Sequence, residues 1–425
     1  MATMALARYG ALPARLHRRE LTAALGLAAL LLGGSWIAFG AASSDLIVDT
    51  ANADEPSWLT GPLSWLGLPF SDLGFSLAII LMFAGYLVVL VCGRELRARH
   101  VLPVLGALSV LFTLTTPILS SDLFGYVGYA RLGVLHHLNP YTHGVLSAPR
   151  DPILPLVYWQ HPSSPYGPLF TAGSYALGAR SLPFAVWSLK LLAGASCIGA
   201  TVLAARYRGA RAAVLIGGNP LLLIYGLGGA HNDLLVLVLV TAALSLLQAR
   251  RGVAAGSVLA AAVAVKVTAG LALLFLLGRR TVLQGAVVVG LPIVAGTLLA
   301  FGPHVLDTIA GIGTQSAFDV SLSGPDLLGR LLGSGVTSGV RLACDAGVLG
   351  VVGICLLRRL PAVDTAGWTA LAVVCAIPSS VPWYIAWVLP MAAFSTSRAL
   401  RATVLAFTAI VIALHLPLLG FPESE

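Results

Sequence analysis

An all-α polytopic membrane protein is the architecture to which this chain points, and three observations carry that conclusion. Of 425 residues, 58% are hydrophobic and only 10% are charged, whereas a soluble domain carries about 25% charged residues. The mean hydropathy is +0.91, more apolar surface than a soluble fold of this length can hide. The apolar residues are also gathered into runs of spanning length, separated by Arg-rich turns. The same features exclude disorder, collagen, a coiled coil and a disulfide scaffold. Cys92, Cys197, Cys344, Cys355 and Cys375 all sit in apolar runs and none belongs to a CxxC pair. They read as small hydrophobes, with no disulfide framework and no metal site.

The runs fall in order near 21–41, 73–93, 101–119, 183–205, 212–228, 233–249, 253–278, 282–301, 334–357, 365–378, 383–396 and 402–420. The first is too long for the apolar core of a cleavable signal and reads as a span. Basic clusters punctuate them at Arg15/Arg18/Arg19, Arg94/Arg97/Arg99, Arg206/Arg208/Arg211, Arg250/Arg251, Arg279/Arg280, Arg358/Arg359 and Arg398/Arg401. Positive charge marks the cytoplasmic side, so an even number of crossings separates neighbouring clusters. Every interval but one holds two runs. The exception is 253–278, which parity turns into a short hairpin with Lys266 near its apex. The result is about 13 transmembrane helices, a cytoplasmic N-terminus and an outside C-terminus. The short segment 166–180 becomes a re-entrant or interfacial helix on the outer side. Most of the 25 Lys and Arg are then inside and most of the 17 Asp and Glu outside. The net charge of +8 is therefore a topology signal, and no nucleic-acid partner is expected. The partner implied is the lipid bilayer. The whole of 1–425 reads as a single membrane domain without internal repeats. Its long segments, 42–72, 120–182 and 302–333, are all outside, and function is expected on that face.

The extracytoplasmic loop 120–182 is the most informative stretch. Leu123, Val127, Ala130, Val134 and Leu138 recur at helical spacing, with Asp122, Tyr126, Tyr129 and His137 on the opposite face. The pattern predicts an interfacial helix capped by Ser120, Ser121 and Asp122 and ended by Asn139–Pro140. Asp122 is the only acid between Glu95 and Asp151. It reads either as a general base or as a helix cap. Phe124, Tyr126, Tyr129, Tyr141, Tyr158, Trp159 and Tyr166 suit a sugar or a prenyl chain, or simply an interfacial aromatic belt. His136, His137, His143 and His161 lack the spacing of a zinc site. No metal ligand set and no cofactor is expected.

Three later features stand out. Lys266 lies in an apolar run, where it either meets an anion or snorkels to water. His231-Asn232-Asp233 opens a span, as an N-cap or as a phosphate-binding helix N-terminus. Arg341 and Asp345 are spaced to pair within one span. Lys190, about 10 Å below the start of its span, has no evident partner.

The run Ser121-Asp122-Leu-Phe-Gly-Tyr126, then Asn139-Pro-Tyr-Thr-His143-Gly, then Ser164-Pro-Tyr-Gly-Pro168 resembles the actinobacterial polyprenol-phosphate-mannose-dependent α-(1→6)-mannosyltransferases of the GT-C superfamily. Gly229-Ala-His231-Asn-Asp233 and Pro382-Trp383-Tyr384 fit as well. The resemblance covers roughly 20–415. It implies a GT-C-type architecture in the plasma membrane and an outer-face active site. It also implies a polyprenyl-phosphate mannose donor, a mannan or glycolipid acceptor, and a carboxylate base in an early outer loop. Asp122 matches that carboxylate by position. On this basis Lys266, His231, Arg131 and Arg341 are candidates for the donor phosphate. Tyr126, Asn139, Tyr141, His143, Tyr166, Asn232, Asp233, Trp383 and Tyr384 are candidates for sugar and acceptor. Polyprenyl phosphate is a good leaving group, so one base that activates an acceptor hydroxyl gives transfer with inversion. A multispan lipid or solute transporter, or a flippase, is the competing class. It calls for repeats and a midplane site, and the sequence shows neither.

Overall fold

The structure, a computed structural model, describes residues 2–41, 56–66, 68, 70–93, 96–306 and 319–419, with backbone alone for 2–17. Arg94, the Arg15 side chain and the segments 42–55, 307–318 and 420–425 lie outside the described residues. Among the described residues the regular structure is entirely helical. The elements are α1 (Ala2–Gly40), α2 (Asp72–Cys92), α3 (Ala98–Leu114), α4 (Asp122–Leu135), α5 (Pro168–Gly178), α6 (Leu182–Arg208), α7 (Ala210–Gly217) and a π-helix (Leu222–Leu227). They continue with α8 (Asp233–Gln248), α9 (Gly252–Val265), α10 (Gly270–Leu276), α11 (Arg280–Phe301), α12 (Gly324–Leu331), α13 (Ser338–Leu357) and α14 (Ala362–Ala376). A 3₁₀ segment (Pro382–Trp387), α15 (Leu389–Phe394) and α16 (Arg398–Leu414) complete the order. One hydrophobic core runs from Leu27 on α1 to Ile412 on α16.

Five helices are long and apolar enough to cross a membrane: Arg18–Gly40, Asp72–Cys92, Leu182–Arg208, Arg280–Phe301 and Ser338–Leu357. The other apolar runs form shorter helices, because glycine, proline and polar residues interrupt them. α8 has 16 residues and α9 has 14. By helical rise they reach about 24 and 21 Å, less than the roughly 30 Å of a hydrocarbon core.

Between these helices lipid-like apolarity gives no preference for one partner over another, so close backbone contact does the sorting. α1 and α2 pack antiparallel on Gly26, Gly33 and Gly85. A Cβ on Gly33 would fall 2.6 Å from the Ala78 carbonyl oxygen. α3 and α6 also run antiparallel, with Ser109 beside Cys197 and Thr113 against Gly194. α9 and α11 run side by side in the same direction, since Gly252 meets Thr281, Gly256 meets Val282 and Ala260 faces Gly290. The chain leaves α9, breaks into extended backbone at Lys266 and turns back through α10. Residues 253–278 are thus a hairpin.

The Arg-rich turns gather at one end of this bundle. Arg208 and Arg401 both donate to the Ser395 carbonyl, Asp364 accepts from Thr396, and Gly252 sits on Thr281. The residues of loop 120–182 that touch α8, with the apex at Lys266, lie at the other end.

The α9–α11 contact leaves no room for a side chain. A Cβ on Gly256 would lie 1.9 Å from the Val282 oxygen, and one on Gly285 would lie 1.9 Å from the Val253 oxygen. Gly256→Leu is expected to lower stability in detergent by about 1–3 kcal/mol, the range for an overpacked contact. Gly296→Ala, which points into open space, should be neutral or slightly stabilising. Thermal unfolding of the two variants checks this; equal melting temperatures would refute it.

Candidate active site

Asp122 is the first residue of α4, and Ser121 is its N-cap without a side-chain cap bond. The nearby backbone donor at Asp122 is taken by Ser120 Oγ at 3.3 Å. The Asp122 carboxylate is therefore not used as a cap. It is about one quarter exposed, and its Oδ2 lies 3.2 Å from Nδ1 of fully buried His231. The pair is in contact but not aligned as a hydrogen bond, and neither imidazole nitrogen bonds to another protein group.

His231 is aimed by local backbone. The π-helix at Leu222–Leu227 runs into a Gly228-Gly229-Ala230 turn, and Ala230 takes a left-handed φ of 55°. Such a φ is uncommon outside glycine, and here it turns the chain so that α8 starts beside Asp122. The imidazole stacks on Trp383 with centroids 3.8 Å apart and planes 16° apart. One turn beyond Asp122, Tyr126 Oη accepts from the Asn232 backbone N–H at 3.1 Å. The Asn232 side-chain amide is buried and unpartnered within the protein. With His231, Tyr126 and Phe170 it lines a narrow cleft.

Next to this pair, Asp233 is buried and receives Lys266 Nζ at 2.8 and 2.9 Å. Trp387 Nε1 donates to the same carboxylate. The ammonium also lies 5.1 Å from the Tyr384 ring and 5.4 Å from the Trp387 ring, which stack on each other. Lys266 therefore does not snorkel. A charge in an apolar run is costly, and the start of α8 supplies its counter-ion.

Burial pushes the Asp122 carboxyl up. Contact with His231 and the nearby Lys266 charge outweigh burial, and hold it below the usual carboxylate value. The centre is thus an ionised carboxylate, partly open, walled by Tyr126, Tyr166, Trp383 and Tyr384. Among the described residues no three His, Cys, Asp or Glu side chains converge on a metal site.

Comparisons with known proteins bear on this arrangement. Residues 24–280 match the family model described as alpha-(1->6)-mannopyranosyltransferase, N-terminal domain, and residues 331–418 match one described as MptB C-terminal domain. The chain belongs to this mannopyranosyltransferase family. It is 28% identical to alpha-(1->6)-mannopyranosyltransferase A of Mycobacterium tuberculosis over 393 residues, 78% of this chain and 73% of that protein. It is 29% identical to alpha-(1->6)-mannopyranosyltransferase A of Corynebacterium glutamicum over 181 residues, 40% of this chain and 37% of that protein. No solved structure gives a significant match. The transporter and flippase reading is accordingly not favoured. Both family regions build the centre: the first supplies Asp122, His231, Asp233 and Lys266, and the second supplies Trp383, Tyr384 and Trp387.

The remaining sequence candidates of this mannopyranosyltransferase-family chain are placed as follows. Tyr166 is edge-on to Tyr126 at 4.7 Å, in the wall of the centre. Tyr141 stands one layer out, donates to Tyr166 O and shares a second bond with the Thr171 hydroxyl. Asn139 donates to Phe301 O at the end of α11 and accepts from Tyr141 N, while His143 bonds back to Thr142 and Asn139. These three tie the loop together. Arg131 is engaged within the loop, with Nε on both Asp151 oxygens at 2.8 and 3.0 Å and Nη1 on Gly178 O. Arg341 pairs with Asp319 at 2.8 Å rather than with Asp345. The expectation of a half-exposed α4 is also corrected. Leu123 through Ala130 are buried on every side, because α5, α6 and the loop itself cover the polar face. The helix ends at Leu135, and His137 takes a left-handed φ of 54°. Trp387 escaped the sequence reading. Its signal is the Trp383-x-x-x-Trp387 spacing, obscured by an apolar run that reads as a plain span.

The Arg131–Asp151–His136 cluster holds loop 120–182 closed. Asp151 is buried, and His136 Nε2 lies 2.6 Å from its Oδ2. Burial raises the Asp151 carboxyl, but bonds from Arg131, His136 and the Ile153 N–H bring it below its usual value. The folded value is thus lower than the unfolded one, near 4. The stability it contributes is present above that unfolded value and is lost as pH falls through the lowered one. Asp151→Asn should cost about 1.5–3 kcal/mol near neutral pH, with the deficit shrinking below about pH 4. Melting curves of both proteins between pH 3 and 7 measure this; a pH-independent gap contradicts it.

Proposed function

We propose that this chain transfers mannose from polyprenyl-phosphate mannose to a mannan or glycolipid acceptor, with inversion, forming an α-(1→6) linkage. The observation that carries the reading is the partly open Asp122 carboxylate held against His231, at the end of the bundle opposite the Arg-rich turns. We take the long and short helices together as about 13 crossings of one GT-C-type membrane domain in the plasma membrane. The N-terminus and basic turns face the cytoplasm. Loop 120–182 and the reacting centre face outward.

In this reading Asp122 accepts the proton of the acceptor hydroxyl as that oxygen attacks the anomeric carbon. The bond to the phosphate oxygen breaks on the opposite face, and polyprenyl phosphate departs with the electron pair. His231 keeps Asp122 ionised and oriented. Of the four groups the sequence offers for the leaving phosphate, Lys266 and His231 share one cluster with Asp122 and Asp233, and the phosphate is assigned to them. Trp383 and Tyr384 offer faces for the sugar.

Asp122→Asn should fold normally and lose about 100- to 10,000-fold in turnover. Purified protein, polyprenyl-phosphate mannose and a mannoside acceptor suffice as the assay. Near-normal turnover would remove Asp122 from the chemistry. Lys266→Met alone strands the buried Asp233 charge and should destabilise the fold by about 3–5 kcal/mol. The double variant Lys266→Met/Asp233→Asn should fold and lose about 10- to 1000-fold in donor use; full activity would free Lys266 of any phosphate role. For orientation, single cysteines at Ser147 and Arg250 are labelled on intact cells with an impermeant reagent. Reaction at 147 and not at 250 is expected, and the reverse pattern would invert the topology.

A further inference from the structure

Lys190 is a second lysine in an apolar span, and the chemistry proposed above does not use it. It sits on α6 and is completely buried. Among the described residues it makes no ion pair. Its Nζ instead donates to Gly228 O at 3.0 Å, Thr116 O at 3.4 Å and Thr115 Oγ1 at 3.5 Å, and lies 5.9 Å from the Trp187 ring. An ammonium has three N–H donors, and these contacts use all three. That leaves no donor for a ligand, so Lys190 is not a binding site.

Its acceptors belong to two chain segments that are otherwise far apart in sequence. Thr115 and Thr116 follow α3 and lead within six residues to Asp122. Gly228 ends the π-helix and precedes His231 by three residues. The same Gly228 oxygen accepts from Ile118 N at 3.3 Å. Each segment then runs directly to one half of the 3.2 Å Asp122–His231 pair. Carbonyl oxygens that converge on one point repel; an N–H donor group between them attracts both. Removing it leaves a buried Thr116 oxygen without a donor, and such groups cost free energy.

We propose that Lys190 is a positioning residue: it clamps the Thr115–Thr116 and Gly228 segments together and so sets the separation of Asp122 and His231. It touches no substrate and acts only through that pair. This rests on the mannosyl-transfer reading above, because the pair is assayed through turnover.

The experiment is a double-mutant cycle of Lys190→Met and His231→Ala in detergent-purified full-length protein, with polyprenyl-phosphate mannose and a mannoside acceptor. Lys190→Met should lower kcat about 10- to 100-fold, the cost of a small misplacement at a reacting centre, with both KM values within about twofold. In the His231→Ala background the same substitution should change kcat less than twofold, because the geometry it protects is already gone. Independent, multiplicative losses would overturn the proposal, as would unchanged kcat in folded Lys190→Met. Should Lys190→Met not accumulate as folded protein, Lys190→Gln, which keeps two donors on a shorter stem, enters the same cycle with the same expected non-additivity. Inactive wild-type protein would instead count against the transfer reading. Active wild type with an additive cycle counts against Lys190 alone.

Discussion

The buried ion pair of Asp233 and Lys266 is the constraint around which the site is arranged. Neither charge can remain single in an apolar interior. The start of α8 and the apex of the α9–α10 hairpin therefore have to meet, although 33 residues separate them. Trp387 closes the third side of the same carboxylate, which brings the 3₁₀ segment after α14 into the junction. With Tyr384 stacked on Trp387 and Trp383 stacked on His231, one ion pair fixes the position of most of the aromatic wall. Asp122 then enters from α4, through His231 and through the Tyr126 bond to the backbone of Asn232.

Two kinds of fastening thus operate at different places. Away from the site, helices are sorted by shape: glycines at Gly26, Gly33, Gly85, Gly256 and Gly285 let backbones touch. At the site, apolar packing gives way to a few charged and hydrogen-bonded contacts among loops and broken helices. The π-helix and the left-handed Ala230 are the backbone irregularities that allow this. Irregular backbone at membrane depth is tolerated where protein surrounds it, and His231, Asn232 and Asp233 are all nearly inaccessible.

Much of this was legible in the sequence. Charge parity alone requires a reversal within 253–278, and the chain turns at Lys266. The isolation of Asp122, and the placement of His231-Asn232-Asp233 at the head of a span, singled out residues that the fold brings together. What sequence could not supply was pairing. Lys266 follows α9 while Asp233 opens α8, Arg131 on α4 meets Asp151 in the loop beyond it, and Arg341 chose Asp319 over the neighbour that helical spacing offered. Asp122 resembled a cap because caps are recognised by position, whereas its role depends on where the side chain points. Helix α4 misled for a related reason. An amphipathic pattern shows which residues are polar, not whether another part of the chain will cover them.

The shortness of α8 and α9 has a bearing on fidelity. α8 begins at the candidate centre and ends at the Arg250–Arg251 turn, α9 begins at that turn and ends at the centre, and both fall about 6–9 Å short of a helix that spans a full hydrocarbon core. In the proposed reaction, a sugar phosphate bound at this centre lies beneath loop 120–182, away from bulk water. Water is the competing nucleophile in any glycosyl transfer, and it is present at vastly higher concentration than any glycan. On the proposed function, a recessed floor sets the balance between transfer and wasteful hydrolysis by geometry, before any residue discriminates between one hydroxyl and another.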